Sequence, residues 1–474
     1  MEQISRAMLN SISLPFIGET TLSGTILIVF LLCVLACIMF EFVNGFHDTA
    51  NAVATVIYTK SLKPQYAVPW SGFFNFLGVA LGGVAVAMGI LKLVPLDQMM
   101  AQSVSVDACL VLSILIAAII WNLGTWYMGI PCSSSHTMIG AMIGGGLAFS
   151  HFYGGSVNWS KAGEIGMSLL LSPVIGFGLA VLLMWFLKHV IKAKSLFHVP
   201  EGENDTPPWP IRILLITTCT LVSFFHGSND GQKGVGLLML IFIAFLPAKF
   251  ALNHAISNDQ ILASINNIEQ TAAKIVAANP NQQDVLSLDT VIAKSKTELT
   301  GVSASSPQTI FSLRKRIQAI TKGTAALLGN KSLSAEDKLA LEKDNNELKK
   351  VTDYAPTWVI AIISISLGIG TMIGWKRIVI TIGEKIGKEH LNYAQGATAE
   401  IVAAGTIGLS SGFGLPVSTT HVLSSGIAGA MVASNGTKNL NNGTLKNIAL
   451  AWLLTLPVSI VLASGLFFLF HLFI

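Results

Sequence analysis

The sequence predicts an all-α polytopic membrane protein: two duplicated halves with interrupted helices, about ten to twelve membrane segments, and one polar helical insert. Three observations predict it. Hydrophobic residues make up 52% of the 474 and charged residues only 11%, against roughly 25% charge in a soluble domain. Apolar runs long enough to cross a bilayer recur along the chain. Two distinctive motifs each occur twice, in the same order. This composition argues against a water-soluble enzyme, a disordered or collagen-like chain and a nucleic-acid-binding protein. The net charge of +4 is too mild to point to a partner.

Residues 1–22 read as an extramembrane segment. Arg6 is their only basic residue, and the apolar run that follows is long for the core of a signal peptide, so it is read as a retained first membrane helix. The first membrane repeat covers 23–187, with apolar runs at 26–43, 67–93, 108–127 and 165–187. A basic loop, 188–211, is expected on the cytoplasmic side, as is 376–388 with Arg377 and Lys385. The second repeat begins at 212–252 and resumes at 355–474, with runs at 211–225, 234–250, 358–374, 398–415 and 448–472. Two shorter runs, 137–149 and 421–433, suit half-helices or re-entrant hairpins. Between the two parts lies the polar insert, 253–354. It contains a capping-box start at Ser334 and Asp337 and an apolar seam of Leu341, Leu348 and Val351, and reads as a solvated lid or spacer. Cys33, Cys37, Cys109, Cys132 and Cys219 form no CxxC pair and read as small apolar packing residues.

The duplication carries the functional argument. NGFHDTAN at 44–51 aligns with HGSNDGQK at 226–233, so Asp48 meets Asp230 and His47 meets Asn229. PCSSSHTMIGAMIGG, from Pro131, aligns with PVSTTHVLSSGIAGA, from Pro416. Ser133, Ser134 and Ser135 thereby meet Ser418, Thr419 and Thr420. Once the insert is set aside, the motif separations in the two halves nearly agree. Duplicated halves with interrupted helices are a recurring plan of secondary transporters, with the site at the repeat interface.

Hydroxyl residues after a proline and before an apolar run are helix N-caps. The free N–H groups and positive dipole end of such a start bind anions without a full charge. Two starts that face one another would cradle a tetrahedral oxyanion. Asp48 and Asp230 sit at the ends of apolar runs, where a carboxylate is costly and usually functional. At 4 Å and an effective dielectric near 20, two like unit charges repel by roughly 4 kcal/mol. An anion therefore settles there only after each aspartate has taken a proton or a metal cation, which gives a physical reason for coupling. Asn44, Asn51 and Asn229 offer amide groups to a cation or to the anion. His47, His136, His226 and His421 titrate near neutral pH. Lys233 is either a counter-charge for Asp230 or a substrate contact. Glu41 and Glu400, in apolar runs, are structural or belong to a proton path.

The motifs NGFHDTANAVATVIYT, IIWNLGTWYMGIPCSSSHTMIGA, FFHGSNDGQKGVG and GLPVSTTHVLSSGIAG resemble the inorganic phosphate transporter (PiT) family, in particular its bacterial low-affinity members. The resemblance implies an inverted-repeat fold with re-entrant hairpins in a bacterial inner membrane. It implies uptake of inorganic phosphate, free or as a neutral complex with a divalent metal, by proton-coupled symport, with no cofactor and no enzymatic activity. The sequence does not fix the oligomeric state, for which a homodimer is one candidate. The family's coupling positions fall on Asp48, Asn51, Asn229 and Asp230, joined here by His47; its hairpin hydroxyls fall on Ser133, Ser134, Ser135, Ser418, Thr419 and Thr420, joined by Lys233. No fixed metal site is assigned. Two residues depart from the family signature Gly-x-Asn-Asp-x-x-Asn: His47 and Lys233 stand where asparagines are common. An imidazole and an ammonium are poor sodium ligands, so the departures favour protons over sodium. The competing readings are sodium-coupled phosphate symport and transport of another oxyanion such as sulfate. More remote are a channel and an intramembrane hydrolase, the last disfavoured by the absence of a GxSxG elbow.

Overall fold

The computed structural model describes residues 12–20, 22, 24–202, 205–278, 283–299, 307–329 and 333–474. Among them, strands are limited to the hairpin Ile12–Leu14 and Gly18–Thr20; the rest of the regular structure is helical. The described residues divide into two compact units. One takes those up to Gln98 with 104–241 and 356–474, and the other takes 99–103 and 242–355.

The first unit is built of apolar helices: α1 (Gly24–Asp48), α2 (Ala50–Tyr58), α3 (Pro64–Leu81), α4 (Ala85–Leu91), α5 (Val104–Tyr127), α6 (Ser134–Tyr153), α7 (Trp159–Val190) and α8 (Trp209–His226). The chain then makes a π-helical turn, Gly227–Gly231, and continues into α9 (Gln232–Phe245). Its outward faces are apolar: Leu31, Leu35, Leu170, Val174, Leu182, Leu453 and Val461 are exposed. Asp48, Asp230, Lys233, Glu41 and Glu400 are buried. Such an inside-out distribution suits a lipid solvent, where every polar group must be satisfied within the protein.

Among the described residues, five helical stretches are long and apolar enough to cross a membrane, or up to seven if each bent pair is one span. The segment-by-segment tally of the sequence is larger because it counts 211–225 and 234–250 separately and includes runs 137–149, 398–415 and 421–433, whose helices Ser134–Tyr153, Tyr393–Gly412 and Thr419–Asn435 are not among these stretches. Runs 211–225 and 234–250 fall largely on one continuous stretch, Trp209–Phe245, while run 67–93 is bent by 71° between α3 and α4. The two short runs also lengthen, because the hydroxyl residues before each are already helical.

The second unit contains α10 (Asn258–Ala278), α11 (Gln283–Leu299), α12 (Pro307–Leu327) and α13 (Ala335–Thr352). Each packs on its sequence neighbour, and α13 closes back on α10. Ile265, Ile268, Ile292, Leu313, Ile317, Leu341, Leu348 and Val351 are buried, so the seam read from the sequence faces inward. Ser334 caps α13 by accepting from the Asp337 N–H at 3.0 Å, and its own hydroxyl donates to the Asp337 carboxylate at 2.7 Å. The Arg314 guanidinium donates to the Ala251 carbonyl at 2.6 Å.

The first unit is completed by α14 (Thr357–Thr371), α15 (Lys376–Ile380), α16 (Tyr393–Gly412), α17 (Thr419–Asn435) and α18 (Asn442–His471). Glycines bring its helices into backbone contact. A Cβ at Gly45 would lie 2.5 Å from the Leu367 carbonyl oxygen, and one at Gly370 would lie 2.2 Å from that of Phe42, which locks α1 to α14. Gly78 and Gly227 do the same for α3 and α8, with clashes of 2.0 and 2.1 Å against Phe224 and Asn75. Gly144 joins α6 to Ile460 of α18, and Gly176 and Gly429 join α7 to α17. The pairs correspond under the duplication: α1 with α14 as α8 with α3, and α6 with α18 as α17 with α7. Small residues are what lets membrane helices approach so closely.

Candidate functional site

Both signature motifs lie at local irregularities within continuous helical stretches, Gly24–Tyr58 and Trp209–Phe245. In the first copy α1 ends at Asp48, and Thr49, with helical backbone angles, leads directly into α2. The Thr49 hydroxyl lies within hydrogen-bond distance of the Gly45 and Thr371 carbonyls, at 2.7 and 2.8 Å. In the second copy Asn229 and Asp230 occupy the π-helical turn. Irregular backbone of this kind is tolerated at membrane depth where it is enclosed by protein or lines a cavity.

The hydroxyl motifs form helix starts, as their residue types require. Ser133 caps α6 by accepting from the His136 N–H at 3.2 Å, and Ser418 caps α17 by accepting from the His421 N–H at 3.2 Å. The two starts meet: the His136 and His421 rings lie 4.5 Å apart, and the Ser135 hydroxyl donates to the Val417 carbonyl at 2.8 Å. Ser133 and Ser418 are thus consumed as caps, whereas Ser134 and Thr420 face the acids.

Asp48 lies between the two starts. It accepts from Ser134 at 2.7 Å, from Thr420 at 2.8 Å and from the Asn51 amide at 3.1 Å. The Asn51 amide also reaches Thr420 at 2.9 Å and Thr419 at 3.4 Å. Ser134 lies 3.3 Å from Asp230 as well, so one hydroxyl bridges the duplicated acids. Lys233 is paired with Asp230 at 2.7 Å and donates to Ser135. Of the two alternatives for this lysine, the geometry shows the counter-charge of Asp230, with the Ser135 hydroxyl as a second contact. Asn229 turns away from the acids, donating to Ser411 at 3.0 Å and to the Leu415 carbonyl at 3.1 Å, and accepting from the Val417 N–H at 3.3 Å. His47 places Nδ1 3.5 Å from Asp48 and Nε2 3.2 Å from the Thr125 hydroxyl.

Sequence reasoning gave His226 no special place. Its Nε2 lies 3.8 Å from Asp48 and 3.6 Å from Asp230. Its Nδ1 is 2.9 Å from the Asn75 side-chain oxygen, and the Asn75 amide donates to Thr371 at 3.1 Å. Asn75 thus presents an acceptor to Nδ1, and Nε2 faces both carboxylates. Its alignment with Asn44, directly before a motif glycine, was the available signal. Asp48, His226 and Asp230 offer ligand atoms within 4.8 Å of one another, close enough to share a metal ion. Glu400, fully buried, accepts from the hydroxyls of Thr55 and Thr218.

The two acids are unequal in their surroundings. Asp230 has an ammonium beside it, while Asp48 is held by two hydroxyls, an amide and two nearby imidazoles. An anion that enters between the capped starts meets one carboxylate already balanced and one whose charge a proton or metal would have to offset.

Comparison with known proteins agrees with this architecture. A solved structure described as the sodium-dependent phosphate transporter shares the fold with a TM-score of 0.60 at 20% identity, over 94% of this chain and 100% of its own. The low-affinity inorganic phosphate transporter PitB of Escherichia coli (strain K12) is 40% identical over 95% of this chain and 98% of its own length. PitA of the same organism is also 40% identical, over 93% and 96%. A probable low-affinity inorganic phosphate transporter of Bacillus subtilis (strain 168) is 29% identical over 94% and 98%. The phosphate transporter family matches residues 44–463. With its signature motifs, capped starts and acids all inside that match, this chain is an integral membrane protein that belongs to the phosphate transporter family.

Proposed function

We propose that the protein takes up inorganic phosphate across a bacterial inner membrane by proton-coupled symport, as the free anion or as a neutral complex with a divalent metal. One observation carries the reading: two capped helix starts, one from each duplicate, converge on Asp48 within hydrogen-bond distance. Helix starts supply N–H donors and a positive dipole to a tetrahedral oxyanion. The acids confine binding to states in which their charge is offset. Arrangement in duplicate supports a two-sided binding site over a single activated nucleophile, which needs one serine and one base.

Three features support protons over sodium. Lys233 places a fixed cation against Asp230, where a second cation would be repelled. His47 and His226 place titratable rings beside Asp48. The oxygens of Asp48 are already engaged by hydroxyl and amide donors. Phosphate uptake into proteoliposomes, with pH, sodium and divalent metal varied separately, tests the reading. Accumulation is expected under an inward proton gradient without sodium. Uptake that requires sodium at a fixed pH gradient would replace proton with sodium coupling. Strong competition by sulfate, which cannot donate a hydrogen bond at neutral pH, would redirect the substrate assignment.

A further inference from the structure

A second acidic cluster lies outside the contacts described above. Cys37, Glu41, Asn44 and Asp48 fall on one face of α1, at helical steps of four, three and four residues, and all four are buried. The stripe runs back along α1 from the central acid. Glu41 has 0% exposure. Its Oε1 accepts from the Asn44 amide at 3.2 Å. Its Oε2 has no hydrogen-bond partner, and neither has the Asn44 side-chain oxygen. The carboxyl packs against Gly234, the residue after Lys233: a Cβ there would lie 2.3 Å from Oε2. The Cys37 thiol lies 3.6 Å from the Gly234 carbonyl.

The ionisable groups that act on Glu41 are Cys37 on its own helix and His226, Asp230 and Lys233 from the α8–α9 stretch. The α14 helix presents Ile363 and carries no ionisable side chain. From α5, Cys109 acts on Cys33, two turns from Glu41. Among the described residues, no ammonium or guanidinium is ion-paired with the Glu41 carboxyl.

The pocket therefore holds two buried acceptors and lacks a donor. Burying an unpaired carboxylate is costly, and a proton on Glu41 supplies the missing hydrogen while removing the charge. The duplication strengthens the point, since Asn44 occupies the position of His226, which attends the central acids in the other half. We infer that Glu41, with Asn44, is a proton-holding site that carries a coupled proton through the transport cycle. Glu41 takes up the proton while the site is open to one side of the membrane, and its carboxylic acid loses it to the other. Lys233 and Gly234 are adjacent in α9, so a shift that loosens the Asp230–Lys233 pair also alters the surroundings of Glu41. This inference rests on the proton-coupled reading given above.

The test separates coupling from binding. In proteoliposomes, Glu41→Gln keeps the size of the side chain and resembles the protonated state. It is expected to retain phosphate–phosphate exchange within about twofold of the unsubstituted protein and to lose at least tenfold in accumulation driven by an inward proton gradient. Gradient-driven accumulation within twofold would overturn the inference and leave the function intact. Loss of exchange as well, in a variant that remains monodisperse, would make Glu41 structural and overturn it too. If the unsubstituted protein ignores the proton gradient, the coupling reading fails and the inference fails with it. Dicyclohexylcarbodiimide, which modifies protonated carboxyls in apolar surroundings, gives a second readout on the unsubstituted protein. Mass spectrometry should find the label on Glu41, increasing as pH falls; a Glu41 that stays unlabelled while Glu400 reacts would count against the proposal.

Discussion

Lys233→Met tests the electrostatics of the site most directly. The ammonium lies 2.7 Å from Asp230, and both side chains are fully buried. At that distance and an effective dielectric near 20 the pair attracts by about 6 kcal/mol. Relaxation reduces the net effect of removing one partner of a buried pair to about 3–5 kcal/mol, most of it the penalty for the charge left alone. The variant should thus be destabilised by about 3 kcal/mol or more. Lys233→Met combined with Asp230→Asn removes both charges at nearly constant volume, and should recover most of that loss. Unfolding in mixed micelles titrated with SDS measures the four-member cycle. A coupling energy of at least about 2 kcal/mol is expected. If the double variant unfolds at the same SDS fraction as Lys233→Met, the pair is not what holds Asp230 in place, and the account of the balanced acid is wrong. Neither variant is expected to transport phosphate, so a stable but inactive double variant would separate the fold from the function.

Asp48→Asn should abolish coupled uptake while the protein remains in the membrane, as surface expression and tracer uptake in whole cells would show. Ser134→Ala removes a hydroxyl bonded to a carboxylate, an interaction of about 1.5–3 kcal/mol. Phosphate affinity should fall about tenfold or more, with a smaller change in unfolding midpoint, when the two are measured by equilibrium binding and by SDS titration. Gly78→Ala forces a Cβ to within 2.0 Å of the Phe224 carbonyl, and overpacking of this kind costs about 1–3 kcal/mol. It should lower thermal stability in detergent, whereas alanine at Gly124, where the space is open, should not.

Much of the architecture was legible because the sequence states it twice. A proline followed by hydroxyls and an apolar run specifies a capped helix start, and both starts are present, with Ser133 and Ser418 as the caps. The seam of Leu341, Leu348 and Val351 was readable because helical periodicity depends on local spacing alone. Other features depend on groups remote in the chain. The π-helical turn at Gly227–Gly231 is a departure in backbone width, which the spacing of apolar residues does not encode. His226 owes its orientation to Asn75, on another helix, and Lys233 owes its second contact to Ser135, in the first turn of α6 in the other half. Which hydroxyls are free was partly implicit, since a cap uses its own oxygen. Which acid each free hydroxyl meets is fixed only by the crossing of helices, and that in turn by glycines whose partners the sequence does not name.

Those glycine contacts carry a mechanical consequence. They clamp α1 to α14 and α3 to α8, the pairs that bear the acids, and α6 to α18 and α7 to α17, the pairs that bear the capped starts. Backbone-to-backbone contact leaves little room for sliding within a pair. The two classes are joined by α5 and α16, which pack on helices of both, and at the site by hydrogen bonds: Ser134 and Thr420 to Asp48, Lys233 to Ser135, and Asn229 to Val417. Hydrogen bonds of this sort exchange partners more readily than backbone contacts slide, so the stiffness of the molecule lies within the pairs and its adaptable contacts lie around the acids.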